Sequence, residues 1–224
     1  MHSNCYGILA IWHDLDPSRV LEFCEWHTRE HMPERLSVPG FLLGCRYESV
    51  ENPPLVFNYY VTESPATLTS LPYLKRLNNP TEWTTHIMPA LCDVYRAVGQ
   101  EVASTGSGQG GLIATLRFNI KANRHQHFQS WFVKHGLHEI VDNASINKIH
   151  LWQADTSASA IESIESSARG GNSVVHEWTV AIEGTDIQSV RAACEWLQLQ
   201  QSFTESLHNT ALVGFYRLMH RLDS

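Results

Sequence analysis

Laid on itself, the chain matches in two registers, and this internal repeat restricts the fold more than any other feature of the sequence. At an offset of 105 residues, Ile8 meets Ile113, Phe23 meets Phe128, Trp26 meets Trp131, Glu34 meets Glu139 and Tyr47 meets Trp152. At an offset of 121, ALCDVYR (Ala90 to Arg96) lies on ALVGFYR (Ala211 to Arg217), and Phe57, Tyr59 and Val61 lie on Trp178, Val180 and Ile182. The change of register places a 16-residue insertion in the second copy. It falls in the Ser/Ala/Gly-rich stretch at about 154–173, which reads as a surface loop. Between the copies, GQEVASTGSGQGG has the composition of a flexible linker. The expected organisation is an N-terminal unit over 1–100, a tether over 101–110 and a C-terminal unit over 111–224. With 224 residues, 43% of them hydrophobic, the chain has enough apolar side chains for a core in each copy.

Within each copy the signals run strand, helix, strand, strand, helix, strand. Residues 6–13 are apolar and rich in strand formers, and Asp16 followed by Pro17 marks a helix start. The helix carries Val20, Phe23, Cys24, His27 and His31 on one stripe, and Pro33 predicts that it ends at His31. Two strands, PGFLLGCRYESV and LVFNYYVTE, flank the turn residues Asn52, Pro53 and Pro54. A partly helical segment over 64–86 and the strand PALCDVYRAV complete the copy. The second copy offers strands near 111–120, 144–153, 174–183 and 210–219, with helices near 123–140 and 185–206. The expected fold is therefore α+β, two tandem ferredoxin-like (βαββαβ) units. Each such unit leaves one sheet face bare, so packing the two sheet to sheet would give an intramolecular α/β barrel.

The stretch His27-Thr28-Arg29-Glu30-His31 spells H-x-x-E-H, the spacing of the inverted zinc peptidases. Two histidines four apart share a helix face, and Glu30 could serve as base. A zinc site also needs a third protein ligand and an open position, and the repeat accounts for this segment without either. A different metal site drawing on His27, His31, His13 or His86 stays open, as does plain burial of neutral histidines bonded to backbone carbonyls. No G-x-S-x-G is present, and GSGQGG precedes a strand inside the linker, so neither an α/β-hydrolase nucleophile nor a nucleotide loop is supported. A single histidine could hold haem, but no feature demands it.

Composition narrows the partners. The net charge of −7 and the lack of a basic run argue against nucleic acid and anionic membranes. Five scattered cysteines without a C-x-x-C pair favour buried thiols in a reducing compartment. The N-terminal MHSNCYGILAIWHDLDP lacks the pattern of a signal peptide or a membrane span, so a soluble, cytoplasmic protein is expected.

The segment FCEWHTREHMPERLSVPGFLLGCRY resembles the EthD-like branch of the dimeric α/β-barrel superfamily. The resemblance rests on an H-x-P signature at the end of the first helix, here His31-Met32-Pro33, and on a following PGF....RY strand, here Pro39-Gly40-Phe41 to Arg46-Tyr47. It covers the first copy and reaches the second only through the repeat. In the second copy Phe132, His135, Gly136 and His138 replace His27, Glu30, His31 and Pro33, although His135 and His138 leave room for a different site. The resemblance implies a fused form of what is usually a pair of chains. It also implies a small-molecule pocket, in a superfamily of isomerases, polyketide cyclases, lyases, cofactor-independent oxygenases and haem enzymes.

The expected function is histidine acid-base chemistry on a carbonyl or aromatic compound, of isomerase, cyclase or lyase type, with no cofactor or metal. His31 is the expected proton shuttle at a helix C-terminus, where the dipole favours its protonated form. His27 and Asp93 are the other candidate catalytic residues. Arg46, Tyr60, Asn58, Trp12, Phe41 and His86 are candidate substrate contacts, with the polar strand set Asn58, Tyr60 and Thr62 facing a barrel cavity. The alternatives are a metal- or haem-assisted oxygenase and a non-enzymatic ligand-binding or stress-related module. Fusion leaves further self-association into a homo-oligomer open.

Overall fold

A computed structural model of the chain describes residues 5–169 and 175–224. The end of the expected insertion, 170–173, and the first residue of the strand expected over 174–183 lie outside the described residues.

The first copy runs β1 (Gly7–Leu15), α1 (Val20–Trp26), a π-helical turn (His27–His31), α2 (Met32–Leu36), β2 (Phe41–Ser49), β3 (Val56–Thr62), α3 (Leu71–Leu77), α4 (Glu82–Ile87) and β4 (Leu91–Gly106). Residues 101–106, expected to be a tether, continue β4 instead. Glycine and serine do not prevent extended backbone where a neighbouring strand takes up the hydrogen bonds, as where Ser107 N–H donates to the Asn147 carbonyl at 2.9 Å.

The second copy runs β5 (Leu112–Phe118), α5 (His125–Trp131), a second π-helical turn (Phe132–Gly136), α6 (Leu137–Val141) and β6 (Ile146–Ala154). Two short helices follow, α7 (Thr156–Ser159) and α8 (Ile164–Ala168), then β7 (Trp178–Gly184), α9 (Ile187–Leu199), α10 (Gln201–Thr204) and β8 (Leu212–Asp223). β2 and β6 lie 105 residues apart, and β4 and β8 begin 121 apart. Within each copy the paired strands are antiparallel.

Two compact units divide the chain. The first holds the described residues of 5–100, 154–169 and 219–224 together with Val175, so the inserted helices α7 and α8 belong to the N-terminal unit although they interrupt the second copy. Its sheet is ordered β4-β1-β3-β2, with helices over one face. Phe23 and Trp26 are buried under α1 with Leu15, Val56 and Ile87, each large side chain contributing about 1.5–3 kcal/mol of burial. The other face of this sheet carries an aromatic layer in which Trp12 stacks on Phe57 at 5.0 Å and Phe57 meets Tyr47 at 5.7 Å.

The second unit holds residues 101–153 and 176–218. Its strands are ordered β6-β7-β5-β8, and Phe118, Phe128, Phe132, Ile149, Val180 and Leu197 fill its core. Among the described residues, no helix is long and apolar enough to cross a membrane. All five cysteines are free; Cys45 and Cys194 are buried, while Cys5 and Cys92 are exposed, against the expectation of buried thiols throughout.

Candidate functional site

Register builds the site. Residues directly opposite across antiparallel strands point to the same side. Val98, Leu9, Tyr60 and Gly44 therefore form one row across β4, β1, β3 and β2, and Arg96, Ile11, Asn58 and Arg46 form the next. Both rows face the helices: the Tyr60 hydroxyl lies 3.4 Å from His27 Nε2, and Arg46 Nη1 donates to the Cys24 carbonyl at 3.0 Å. Asn58, Tyr60 and Thr62 thus line the helix side, not a barrel cavity. A Cβ on Gly44 would come 2.9 Å from Tyr60 Cε1, so the absent side chain makes room for the phenol ring.

The helix does not stop at Pro33 as expected. It widens into a π turn over His27–His31, with Met32 N–H donating to the His27 carbonyl, and continues to Leu36. A widened turn tolerates proline because the ring no longer crowds the carbonyl four residues back, and the missing donor leaves little unpaired. A π turn also forms at Phe132–Gly136, where the following helix has His138 and no proline, so the widening does not require Pro33. The consequence for chemistry is large. His31 lies within a helix and is 6% exposed, and burial, then the Arg35 charge, holds its pKa well below the usual histidine range. The expected helix-end stabilisation of the protonated form does not operate.

His31 lines a cavity of ≈ 20 Å³, enough for about one water, in the N-terminal unit. Its walls are Leu9, Ile11, Tyr60, Tyr73 and Leu77 on the apolar and aromatic side, and Arg35, Arg96, Glu165 and Arg169 on the charged side. The inserted segment closes it. Val98 N–H donates to Ser159 Oγ at 2.9 Å, Asp155 N–H donates to the Val98 carbonyl at 2.8 Å, and Ile164 N–H donates to Asn78 Oδ1 at 3.2 Å. Arg35 and Glu165 form a buried ion pair across the cavity wall. Burial works against the Arg35 charge, but the Glu165 carboxylate outweighs it and keeps the guanidinium firmly ionised.

Three histidines, His13, His27 and His31, are buried between the N-terminal sheet and its first helix. His13 Nδ1 meets the Asp14 carbonyl at 3.0 Å and its Nε2 meets Asn58 Nδ2 at 3.2 Å, a pattern satisfied by a neutral ring protonated on Nδ1. Burial lowers its pKa to about 4. Burial and then the Arg46 charge hold His27 well below the usual range, and its ring lies 5.4 Å from that of His31. Nδ1 of both His27 and His31 is buried without a hydrogen-bond partner. Burial also raises the Tyr60 phenol above its ordinary range, so it remains a proton donor.

Several expected site residues lie elsewhere. Asp93 is exposed, with φ at +47° in the bulge where β1 shifts register against β4, so it cannot orient a buried imidazole. The His86 side chain is 67% exposed and faces Glu22 at 3.3 Å. Trp12 points to the opposite sheet face, because Leu9 and Ile11 take the cavity side and strand parity excludes it. Arg46 and Asn58 share the helix face but lie outside the cavity wall, and Phe41 packs behind it against Tyr60 and Tyr73. Glu30 turns away from both histidines and accepts from Thr81 Oγ1 at 2.6 Å and Thr84 Oγ1 at 3.2 Å. Among the described residues, no group of three His, Cys, Asp or Glu side chains could hold a metal ion. His135 and His138 are exposed. The second unit instead buries His150 between Glu101, 2.5 Å away, and Glu183, 3.2 Å away.

Sequence reasoning missed Arg35, Tyr73, Arg96, Glu165 and Arg169. Arg35 continues the spacing of His27 and His31 and Arg96 lies between Val94 and Val98, so a charge on an apolar stripe was a usable signal for both. Glu165 and Arg169 had none in their loop-like segment.

No family model matches the chain, and no curated protein matches it in sequence. Solved structures do match. An anthrone oxidase-like protein aligns at 8% identity and a TM-score of 0.65, covering 99% of this chain and 94% of the other. A monooxygenase-like protein of Fusobacterium nucleatum aligns at 8% identity and a TM-score of 0.61, covering 100% and 96%. A chlorite dismutase-like protein aligns at 12% identity and 0.61, covering 97% and 96%. At these identities the likeness concerns the fold alone, and the chain has the fold of the dimeric α/β-barrel proteins.

Proposed function

We propose that the chain is a fused pair of ferredoxin-like units and an enzyme that moves a proton on a small carbonyl or aromatic compound in the N-terminal cavity. The observation that carries this reading is His31: a buried, neutral imidazole on the cavity wall, with Nδ1 unpartnered, beside a phenol that burial keeps protonated. A neutral imidazole accepts a proton from an acidic carbon, and Tyr60, with its hydroxyl beside His27 Nε2, donates toward the oxygen on which charge develops. The guanidiniums of Arg96 and Arg169 favour that charge. Isomerisation, cyclisation and elimination share this first step. A substrate larger than a few atoms requires the α7–α8 segment to move outward, since the cavity holds about one water as it stands.

A second reading draws on the structural neighbours, two of which are named for oxidation. A deprotonated aromatic or carbonyl compound is electron-rich enough to react with dioxygen, so the same proton transfer would open an oxygenation. A resident metal at His27 and His31 has less support, because Glu30 is committed to Thr81 and Thr84.

The test is deuterium exchange at carbon, followed by NMR in D2O across a panel of enolisable carbonyl and phenolic compounds. Exchange lost in His31→Gln, with substrate still bound, is the expected result. The acid limb of the rate should fall below the ordinary histidine range, since a lowered pKa keeps His31 neutral to lower pH. Exchange unaffected by His31→Gln ends this reading, and ligand binding without exchange or product for any compound favours a binding module.

A further inference from the structure

The charges around the cavity do not balance. Arg35, Arg96 and Arg169 all line it, and Glu165 is the single carboxylate among the described residues of its walls. Glu165 is engaged by Arg35, which also has Glu34 at 3.8 Å. Among the described residues, Arg96 has no carboxylate partner. Its two hydrogen bonds, to the Ser159 carbonyl and the Tyr73 hydroxyl, are both 3.4 Å long and both to neutral oxygens, although the residue is only 7% exposed. Arg169, at the C-terminal end of α8, donates its backbone N–H to the Ser167 carbonyl, and among the described residues its guanidinium has no hydrogen-bond or ion-pair partner. An arginine cannot shed its proton to relieve such a position, so the buried charge calls for an anion.

We infer that the cavity is a carboxylate-binding site: the small molecule it takes is an acid whose carboxylate docks between Arg96 and Arg169, with its carbon skeleton against Ile11, Tyr60 and Tyr73. Planar guanidiniums match the planar, two-oxygen carboxylate. Burial and the nearby Arg96 charge depress the Arg169 pKa, as expected where cations crowd one site. This inference rests on the proposed enzyme for the location of the reacting carbon at His31, but anion binding itself needs no turnover.

The probe is formate, small enough for the cavity as it stands, with formamide as its uncharged counterpart. Relaxation of 13C-formate is measured against protein concentration. Saturable binding of formate, at least tenfold weaker binding of formamide, and loss of formate binding in Arg96→Gln and in Arg169→Gln are expected. Arg169 lies on the inserted segment and is only partly buried, so its variant reports even if Arg96→Gln fails to fold. Formate binding retained in Arg169→Gln, or formamide binding as well as formate, overturns the inference. Formate binding should survive in His31→Gln. An Arg169-dependent anion site in a protein with no exchange activity would remove the catalytic reading and keep this one. His31-dependent exchange on neutral compounds without formate binding would do the reverse.

Discussion

Glu165→Gln should be among the most damaging single changes in the N-terminal unit. The side chains of Arg35 and Glu165 are 3% and 8% exposed, so the substitution leaves a guanidinium in the interior without its main counter-charge. Removing one partner of a buried pair costs about 3–5 kcal/mol. Glu34 remains 3.8 Å from Arg35, but it is shared with Arg76 at 2.9 Å and is partly solvated, which places the loss near 3 kcal/mol, the low end of that range. For a chain of this length that corresponds to a fall in Tm on the order of 10 °C. Urea unfolding followed by circular dichroism gives the stability, and limited proteolysis reports whether residues 155–169 detach first, since a few hydrogen bonds to Val98, Asn78 and Arg96 then carry the attachment. The double variant Arg35→Met, Glu165→Met should recover most of the loss, because it buries no unpaired charge. A Glu165→Gln protein within 0.5 kcal/mol of the parent, or a double variant as unstable as the single one, would show that the pair does not hold the segment down.

Two further outcomes follow from local geometry. Gly44→Ala should destabilise by about 1–3 kcal/mol in the same urea assay, because the added methyl meets the fully buried Tyr60 ring at 2.9 Å and Met32 Cγ at 3.1 Å; a neutral result would mean the ring has room to move. In the second unit, the His150 pKa is raised: burial works against its charge, and Glu101 and Glu183 outweigh burial. The stabilisation from its charged form is therefore complete below the unfolded histidine pKa and lost as pH rises through the folded value. His13, His27 and His31 are lowered and act in the opposite direction, so the measurement is the stability of the parent minus that of His150→Gln, titrated from pH 5.5 to 9. That difference should shrink as pH rises, and a flat or growing difference refutes the assignment.

The N-terminal strands and helices were legible because their signals are local. Alternation in LVFNYYVTE and the stripe of Val20, Phe23, His27 and His31 depend only on strand and helix periods. Asp16 and Pro17 open a 3-10 turn before α1, where the sequence placed the helix start. The errors arose where a neighbour overrides local preference. Ser104 and Gly106 were expected in a tether and lie in β4, since strand pairing supplies what composition cannot. Trp12 and Asp93 were assigned to a site from residue type, without the register that turns one to the far sheet face and places the other on an exposed bulge.

The sequence alone determined the order of elements and the presence of histidines on the buried side of α1, because each is written in spacing along the chain. Tertiary structure decided which charges meet. Arg35 and Glu165 are 130 residues apart in sequence, and Arg96 and Ser159 are 63 apart; their meeting depends on an insertion in one copy folding onto the other copy's unit. Burial depends on such meetings. It set His31 neutral and left Arg96 bonded to neutral oxygens, because the energy of a charge is fixed by what surrounds it in space and not by its neighbours along the chain.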